Sequence, residues 1–544
     1  MTQQATFLDP NHSSGMTITE VATTLSVSEA SVRNWIKTGY LNYNRNTGIT
    51  TESFEHFRTN VAGKDKLTKR ANKSLLDDHD HQTLISKTNS ALENNGNPTV
   101  LAWEYENSLS NAYRNKEGIY YTPENICNKM FSDIPDLSGD EKFCDPCCGS
   151  GNFVMAAIRH GFLPENIYGY DTDPTAVEIT KRRIYEDTGY NSENIICADF
   201  LSLSSDCDER LPEFDAILTN PPWGKKISKE EKVKLGNFLG AGRSLDTSSL
   251  FLFASMKSLK NGGTLALLMP ESFFKIATFQ DARRHLLDVS LISVRDFGKP
   301  FKGLLTKAQS FCATKLNHKK GNVFCCVGDR TFKRGQETFL NNPACIINFE
   351  SSPEDASVIL KLFGKPYVTL EGGSRWGLGI VTGNNKKFCK DMPGEDLMAV
   401  YKGVDIHKEG LNEPTTFIPK DLSLYQQVAP VELFEADEKI LYRFISSNLV
   451  FYHDTEKSYF LNSVNMIVPA DDFPISNAGI TRLFNSDLFN WVFAKMFNTH
   501  KVLRADLEKM PLPVEFLKDR DDFTEEELLE YYGIERRENG TFRA

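Results

Sequence analysis

Between positions 143 and 269, short apolar runs give way repeatedly to a turn and then a helix. Phe143-Cys144, Ile167–Tyr170, Ile195–Ala198, Phe214–Thr219 and Thr264–Met269 read as strands. A stretch through Arg159, one over 174–187 and one over 248–260 carry helical spacing between them. Apolar runs this short, bounded by turn residues, are strands rather than buried helices. The alternation predicts βαβ units and a parallel sheet, an α/β fold whose ligands gather at the carboxyl ends of the strands.

Those ends are chemically alike. Asp145, Asp171 and Asp199 stand at three successive strand ends, Asp171 followed by Thr172 and Asp199 by Phe200. Asp145 opens the loop Asp145-Pro146-Cys147-Cys148-Gly149-Ser150-Gly151, whose Gly149 and Gly151 let a ligand approach the backbone closely. No Lys-Ser/Thr pair follows the loop, and its spacing is not that of the dinucleotide Gly-x-Gly-x-x-Gly. With nothing basic to receive a pyrophosphate, the acidic set suits a cationic nucleoside without phosphates. Asp171 is placed for both ribose hydroxyls, Asp199 for an adenine amine with Phe200 on the ring, and Asp145 for an ammonium or sulfonium. Together they outline S-adenosyl-L-methionine.

The strand Phe214–Thr219 runs into Asn220-Pro221-Pro222-Trp223. Two prolines remove two backbone donors and fix two φ angles, so the chain leaves the strand in a stiff direction. Exposed carbonyls, an Asn side chain and an indole face then lie together. That set suits a flat molecule bearing an amino group, such as a nucleobase. A proline-rich turn at a strand end is the plain alternative.

Tyr121-Thr122-Pro123, the Asp145–Gly151 loop, Asp171, Asp199-Phe200 and Asn220–Trp223 occur in one order along the chain. This order resembles that of the amino-methylating DNA methyltransferases, and in particular the gamma-class adenine enzymes of the TaqI type, over roughly residues 100–515. The resemblance implies a Rossmann-like methyltransferase domain followed by a mixed α/β target-recognition domain. It assigns Thr122, Asp145, Pro146, Cys147, Gly149, Gly151, Asp171, Thr172, Asp199, Phe200, Pro222 and Phe251 to the cofactor pocket. Asn220, Pro221 and Trp223 become catalytic, and Trp223 and Phe301 stack on an extruded base. Asn220 and the Pro221 carbonyl would accept both N–H bonds of the amine, whose lone pair then meets the sulfonium methyl without a covalent enzyme intermediate. The substrate is double-stranded DNA, and a cognate restriction endonuclease made as a separate protein is a further implication. RNA or protein-glutamine methylation stays open. Carbon-5 methylation is disfavoured, because Cys147 lies in the cofactor loop rather than in a nucleophile position.

The flanks are read separately. Ile18, Val21, Ala22, Leu25, Val32, Trp35 and Ile36 have helical spacing broken at Ser26-Val27-Ser28. With Ser28 as a cap, residues 16–41 resemble a helix-turn-helix of the MerR or excisionase kind, within a module over 1–59. Arg33 and Lys37 would lie on its recognition helix; a helical protein–protein module, or a regulator without enzymatic activity, is the alternative. Residues 60–100 read as a polar, basic linker, 101–320 as the catalytic domain, 321–515 as the target-recognition domain and 516–544 as an acidic tail.

At 544 residues the chain is too long for one core. Net charge of −11 argues against a uniformly basic nucleic-acid coat, though not against a local basic channel. The 11 cysteines are scattered and complete no metal site, so reduced thiols and no metal are expected. No apolar run approaches a membrane span, and the N-terminus lacks a basic start and apolar core. A monomer in a bacterial or archaeal cytoplasm is the expectation.

Overall fold

The computed structural model describes residues 15–60, 83–205 and 211–544, apart from positions 26, 28, 38–40, 45–47, 95, 111–112, 115–116, 135–138, 226, 302–303, 317–320 and 498–500. The chain divides into two units, residues 1–232 with 301–304, and residues 233–300 with 305–544.

The first unit begins with a small module. Thr17 caps helix Ile18–Thr24 in a reciprocal box with Glu20. Helix Glu29–Lys37 follows, then a hairpin of β1 (Tyr43–Asn44) and β2 (Gly48–Ile49), then helix Thr51–Asn60. Val21, Leu25, Val32, Trp35, Leu41, Ile49, Phe54 and Phe57 form its core. Two helices thus occupy the stretch for which the sequence predicts a helix-turn-helix, while the hairpin and third helix carry no advance signal. Ser28 lies outside the described residues.

Residues 60–100 are not a linker throughout. The basic block at 64–73 and the Asp/His patch at 77–81 lie outside the described residues, but positions 83–93 are helical. Leu92 joins Leu101, Ala102 and Tyr105 of helix Pro98–Ser108 against Ala176 and Ile179 of helix Pro174–Thr188. Sparse apolar positions hide this arm in the sequence, because one narrow stripe is all that it buries.

β3 (Phe143–Asp145), β4 (Ile167–Asp171), β5 (Ile195–Cys197) and β6 (Phe214–Thr219) run in the order β6-β3-β4-β5, with β3 parallel to both β4 and β6 and β4 parallel to β5. Asp173 caps helix Pro174–Thr188 through the Thr175 and Ala176 N–H groups, Pro174 sets its first turn, and Gly189 ends it at φ 72°. From β3 the chain steps outward to β4 and β5, then β6 returns to the other side of β3. Such a reversal opens a crevice at the carboxyl ends of the two central strands, where ligands of open α/β sheets bind.

The second unit carries helix Thr247–Ser258, capped by Asp246 and buried on nearly every face. Its strands β7 (Leu259–Pro270), β8 (Ser290–Asp296), β9 (Ala308–Thr314), β10 (Asn322–Val327) and β11 (Arg330–Gly335) lie in the order β11-β10-β8-β9-β7. β10 pairs parallel with β8 and antiparallel with β11. These two strands continue the sheet of β7, β8 and β9 past residue 320, where the sequence places a domain boundary.

Beyond them, strands Ser374–Leu378, Lys439–Arg443, Phe451–Asp454 and Val464–Pro469 form an antiparallel sheet. Ile440, Tyr442 and Ile467 face one core with Phe451, Ile480 and Phe489, whereas Leu441, Met466 and Val468 face another with Ile380, Val400 and Ile418. Period-two alternation therefore buries both faces of this sheet. Lys439 pairs with Asp454 at 2.5 Å with neither side chain exposed.

Residues 516–544 are no loose tail. Helix Glu525–Tyr532 and a hairpin of Glu535–Arg536 with Phe542–Arg543 place Leu528, Leu529, Tyr532, Ile534 and Phe542 in the first of these cores. The acidic residues are the solvent side of an amphipathic element, which composition alone reads as a tail. No helix among the described residues is long and apolar enough to cross a membrane.

Leu528 is fully buried, so Leu528→Ala should lower the stability of the second unit by about 2–5 kcal/mol. Calorimetric unfolding checks it, and an unchanged transition would mean that the segment is only appended.

Candidate active site

The loop after β3 is built so that its backbone is close-packed from behind. Gly149 has φ of 50°, and a Cβ there would lie 2.8 Å from the Tyr121 ring. Its N–H donates to Asp171 Oδ2 at 2.8 Å, and the Asp173 N–H donates to Asp171 Oδ1 at 2.9 Å. Asp171 at the end of β4 is thereby fixed with both oxygens engaged, each keeping a second lone pair. Burial pushes its carboxyl up to about 6, against those two N–H bonds.

Asp145 is 1% exposed. Its Oδ1 accepts the Cys147 N–H at 3.1 Å, and Oδ2 is buried. Burial raises this carboxyl to about 7, opposed first by the Thr219 hydroxyl and then by the Cys147 N–H. Burial also drives the Cys147 thiol well above its usual range, so it stays a thiol. Asp199 begins helix Phe200–Ser205, accepting from the Leu201 N–H at 3.0 Å and the Ser202 hydroxyl at 3.1 Å. Phe200 departs from expectation. Its ring is 1% exposed and packs on Tyr170 at 5.4 Å, so it supports the sheet instead of offering a face to a ligand. Thr172 is exposed just past β4, and Thr122 is buried, its carbonyl accepting from Asn152 Nδ2 at 3.1 Å. Pro146 and Gly151 are buried in the loop, and Pro222 is half-buried after β6. Phe251 belongs to the second unit, buried on helix Thr247–Ser258.

At the end of β6 the turn is held from the side by residues 117–120. Asn220 Nδ2 donates to the Tyr120 carbonyl at 2.6 Å, and the Trp223 N–H donates to the Gly118 carbonyl at 3.0 Å. Gly118 has φ of 70°, and a Cβ there would meet the Trp223 carbonyl oxygen at 2.6 Å, so only glycine fits. Glu117 and Lys225 brace the same contact at 3.6 Å. With its amide nitrogen committed, the Asn220 Oδ1 is buried and has no hydrogen-bond partner among the described residues.

Around this acceptor stand three rings. Tyr120 lies 6.0 Å from Trp223 and 5.4 Å from Phe301, and Trp223 lies 5.4 Å from Phe301 at 80°. A base inserted between two rings needs about 7 Å between them, two carbon–carbon contact distances. Trp223 and Phe301 are therefore a perpendicular pair and not the open sandwich expected of them. Tyr120 is the aromatic that the sequence reading passed over; its place directly before Tyr121-Thr122-Pro123 was the available signal.

Also unforeseen is the second row behind the loop. Glu106 on helix Pro98–Ser108 accepts from the Ser150 hydroxyl and from Asn152 Nδ2, the latter at 3.0 Å. Arg183 Nη1 donates to the Ser150 carbonyl at 2.6 Å and to Asn152 Oδ1 at 2.9 Å. Arg33 in the N-terminal module is exposed and pairs with Glu29 at 3.2 Å; Lys37 ends the same helix.

Comparisons with known proteins bear on this geometry. Residues 99–294 match the N-6 DNA Methylase family, and residues 398–512 match the TaqI-like C-terminal specificity domain. The type II methyltransferase M.VspI of Vibrio sp. (strain 343) is 44% identical over 410 residues, which span 75% of this chain and all of that one. The modification methylase CviBIII of Paramecium bursaria Chlorella virus NC1A is 23% identical over 257 residues, 44% of this chain and 64% of its own. In fold, the chain is similar to the Type IIL restriction–modification enzyme MmeI, with a TM-score of 0.50 and 11% identity over 75% of this chain and 69% of that one. A nuclease-deletion mutant of the Type ISP enzyme LlaGI also gives 0.50, with 12% identity over 92% of this chain and 66% of that one. A relative this similar along its entire length leaves one conclusion: the chain belongs to the type II DNA methyltransferases of restriction–modification systems.

Proposed function

We propose that the protein transfers a methyl group from S-adenosyl-L-methionine to the N6 amine of an adenine flipped out of double-stranded DNA. The observation that carries this reading is the buried, unpartnered Asn220 Oδ1 at the carboxyl end of β6. Leaving such an acceptor without a partner costs about 1–3 kcal/mol, which a ligand N–H would recover. The amide cannot turn to relieve it, because Nδ2 is tied to Tyr120.

An adenine amine is a poor nucleophile, since its lone pair is delocalised into the ring. Accepting its two N–H bonds on Asn220 Oδ1 and the Pro221 carbonyl draws the nitrogen toward a tetrahedral form with a usable lone pair. Both acceptors are preorganised, one by Tyr120 and the other by the proline-stiffened turn. Flipping the base costs a few kcal/mol. The Tyr120, Trp223 and Phe301 cluster offsets that by stacking, worth roughly 1–3 kcal/mol per base. The base enters against a face of this cluster, not between Trp223 and Phe301 as they stand.

The loop after β3 fits the cofactor: Asp145 sets a buried carboxyl at its start, and the backbone carries no Cβ at Gly149 and Gly151. When bound, S-adenosylmethionine supplies a methyl group on a positively charged sulfur. Asp145 faces that charge, Asp171 takes the ribose and Asp199 the adenine, with Thr122, Pro146, Cys147, Thr172 and Pro222 assigned to the pocket by resemblance. Cys147, kept protonated, is no nucleophile for carbon-5 chemistry. The order of the matches, methylase first and specificity domain second, supports the gamma class and DNA over RNA or a protein amide. The enzyme acts as a monomer on one site, protecting it from an endonuclease on a separate chain. The module over 15–60 is assigned a DNA contact through helix Glu29–Lys37, with Arg33 exchanging Glu29 for phosphate.

Asn220→Ala should abolish methyl transfer while S-adenosylmethionine still binds; turnover near that of the wild type would sink the assignment. Trp223→Ala should reduce turnover and the fluorescence rise of 2-aminopurine placed at the target adenine. For cofactor binding the sign follows from the two carboxyls. Held at about 7 and about 6 when empty, they are lowered by a bound cation, so binding releases protons. Affinity therefore climbs as pH rises from about 5 and levels off above about 7.5, gaining about tenfold per unit by which a carboxyl falls. Calorimetry in buffers of different ionisation enthalpy reads the release, and proton uptake would refute it. Arg33→Ala should flatten the salt dependence of DNA binding by about one counterion; an unchanged slope removes the module from the DNA interface.

A further inference from the structure

We infer that Glu106 and Arg183 are positioning residues for the cofactor, acting through the Gly149–Asn152 loop from a helical arm that precedes the sheet. The inference rests on the S-adenosylmethionine reading above. Nothing in the chemistry of methyl transfer calls for an ion-bearing pair here, and neither residue stands at a strand end.

What the two residues do is visible in where their hydrogen bonds go. Glu106 Oε1 accepts from the Ser150 hydroxyl and the Asn152 amide, and Arg183 Nη1 donates to the Ser150 carbonyl and the Asn152 side-chain oxygen. Asn152 Nδ2 also reaches the Thr122 carbonyl, and Thr180 Oγ1 donates to the Gly149 carbonyl at 2.8 Å. The loop is thus gripped residue by residue from helix Pro98–Ser108 on one side and helix Pro174–Thr188 on the other.

The same two helices also hold Asp171. Tyr105, next to Glu106, donates its hydroxyl to Asp173 Oδ2 at 2.6 Å, and the Asp173 N–H is one of the two that fix Asp171. The other is the Gly149 N–H, in the loop that Glu106 grips. Both ligating features of the pocket, the glycine backbone and the Asp171 carboxylate, therefore take their positions from one turn of this arm. Glu106 and Arg183 carry opposite charges on either side of Ser150 and Asn152, so each offsets the other's desolvation.

Removing Glu106 frees the Ser150 hydroxyl and takes one of two acceptors from the Asn152 amide, whose bonds to Thr122 and Arg183 remain, and the loop loses its register against Asp171. Misplacement of a ligand by about an ångström is worth up to about a hundredfold. Because adenine contacts Asn220 and the aromatic cluster instead, the loss should fall on the cofactor. Gln keeps an Oε1 acceptor in the same place, so Glu106→Gln should restore most of what Glu106→Ala removes.

The test is a titration of the full-length protein with S-adenosylmethionine, with steady-state kinetics and DNA binding on the same preparations. Glu106→Ala should raise Kd and KM for S-adenosylmethionine by about ten- to a hundredfold. Its kcat at saturating cofactor should stay within about threefold and its DNA affinity should be unchanged; Glu106→Gln should lie close to wild type. Ser150→Ala, which removes only the hydroxyl, should reproduce part of the rise and stands in if Glu106→Ala does not fold. Wild-type cofactor affinity in Glu106→Ala or in Ser150→Ala, or a fall in kcat equal to the rise in KM, overturns the positioning role. If the wild-type protein itself does not bind S-adenosylmethionine, the cofactor reading fails first, and the two failures are told apart by that control.

Discussion

The site depends on one hydrogen bond, from Asn220 Nδ2 to the Tyr120 carbonyl. A free asparagine amide can rotate so that either end meets a donor or an acceptor, and a buried one normally satisfies both. Here one end is spent on the backbone and the other is buried without a partner among the described residues. The fold thereby holds an acceptor whose direction is fixed by the backbone. Two prolines do the same for the turn by removing donors, and Gly118 does it from behind by letting residues 117–120 approach to contact.

A similar economy holds across the crevice. Strand order reverses at β3 and β6, so the Asp145 loop and the Asn220 turn emerge from neighbouring strands, with Cys144 opposite Ile217 in register. Asp145 is buried, and the Asn220 Oδ1 is buried without a hydrogen-bond partner among the described residues. Burial raises the Asp145 carboxyl toward neutrality, and the same burial is what makes a bound cation worth more there than in water. Strain of this kind is concentrated at functional sites, and the surrounding helices have to hold it in place.

What was legible and what was not divide along physical lines. Residues at strand ends showed themselves because a parallel sheet exposes its carboxyl ends, so Asp145, Asp171, Asp199 and Asn220 could be placed from the alternation alone. Phe200 is the exception, since a phenylalanine beside a strand-end aspartate fits a ring contact equally well in sequence; only its burial and packing on Tyr170 show that it belongs to the core. Trp223 and Phe301 were rightly grouped, but their 80° angle was beyond any sequence pattern. The helix over 83–93 and the element after 516 were taken for linker and tail because each buries a single stripe. Polar composition records the exposed face of such elements and is silent on the buried one.

By itself the sequence determined the fold class and the order of the motifs, because periodicity, proline and glycine act through the local backbone. The tertiary structure alone decided which amide end of Asn220 is spent, how the three rings stand and which residues brace the loop. Those are long-range hydrogen bonds and packing angles, between Asn220 and Tyr120 or Glu106 and Ser150, separated by tens of residues. No local pattern encodes a partner that distant, so Glu106, Arg183 and Tyr120 entered the site only once the chain was folded.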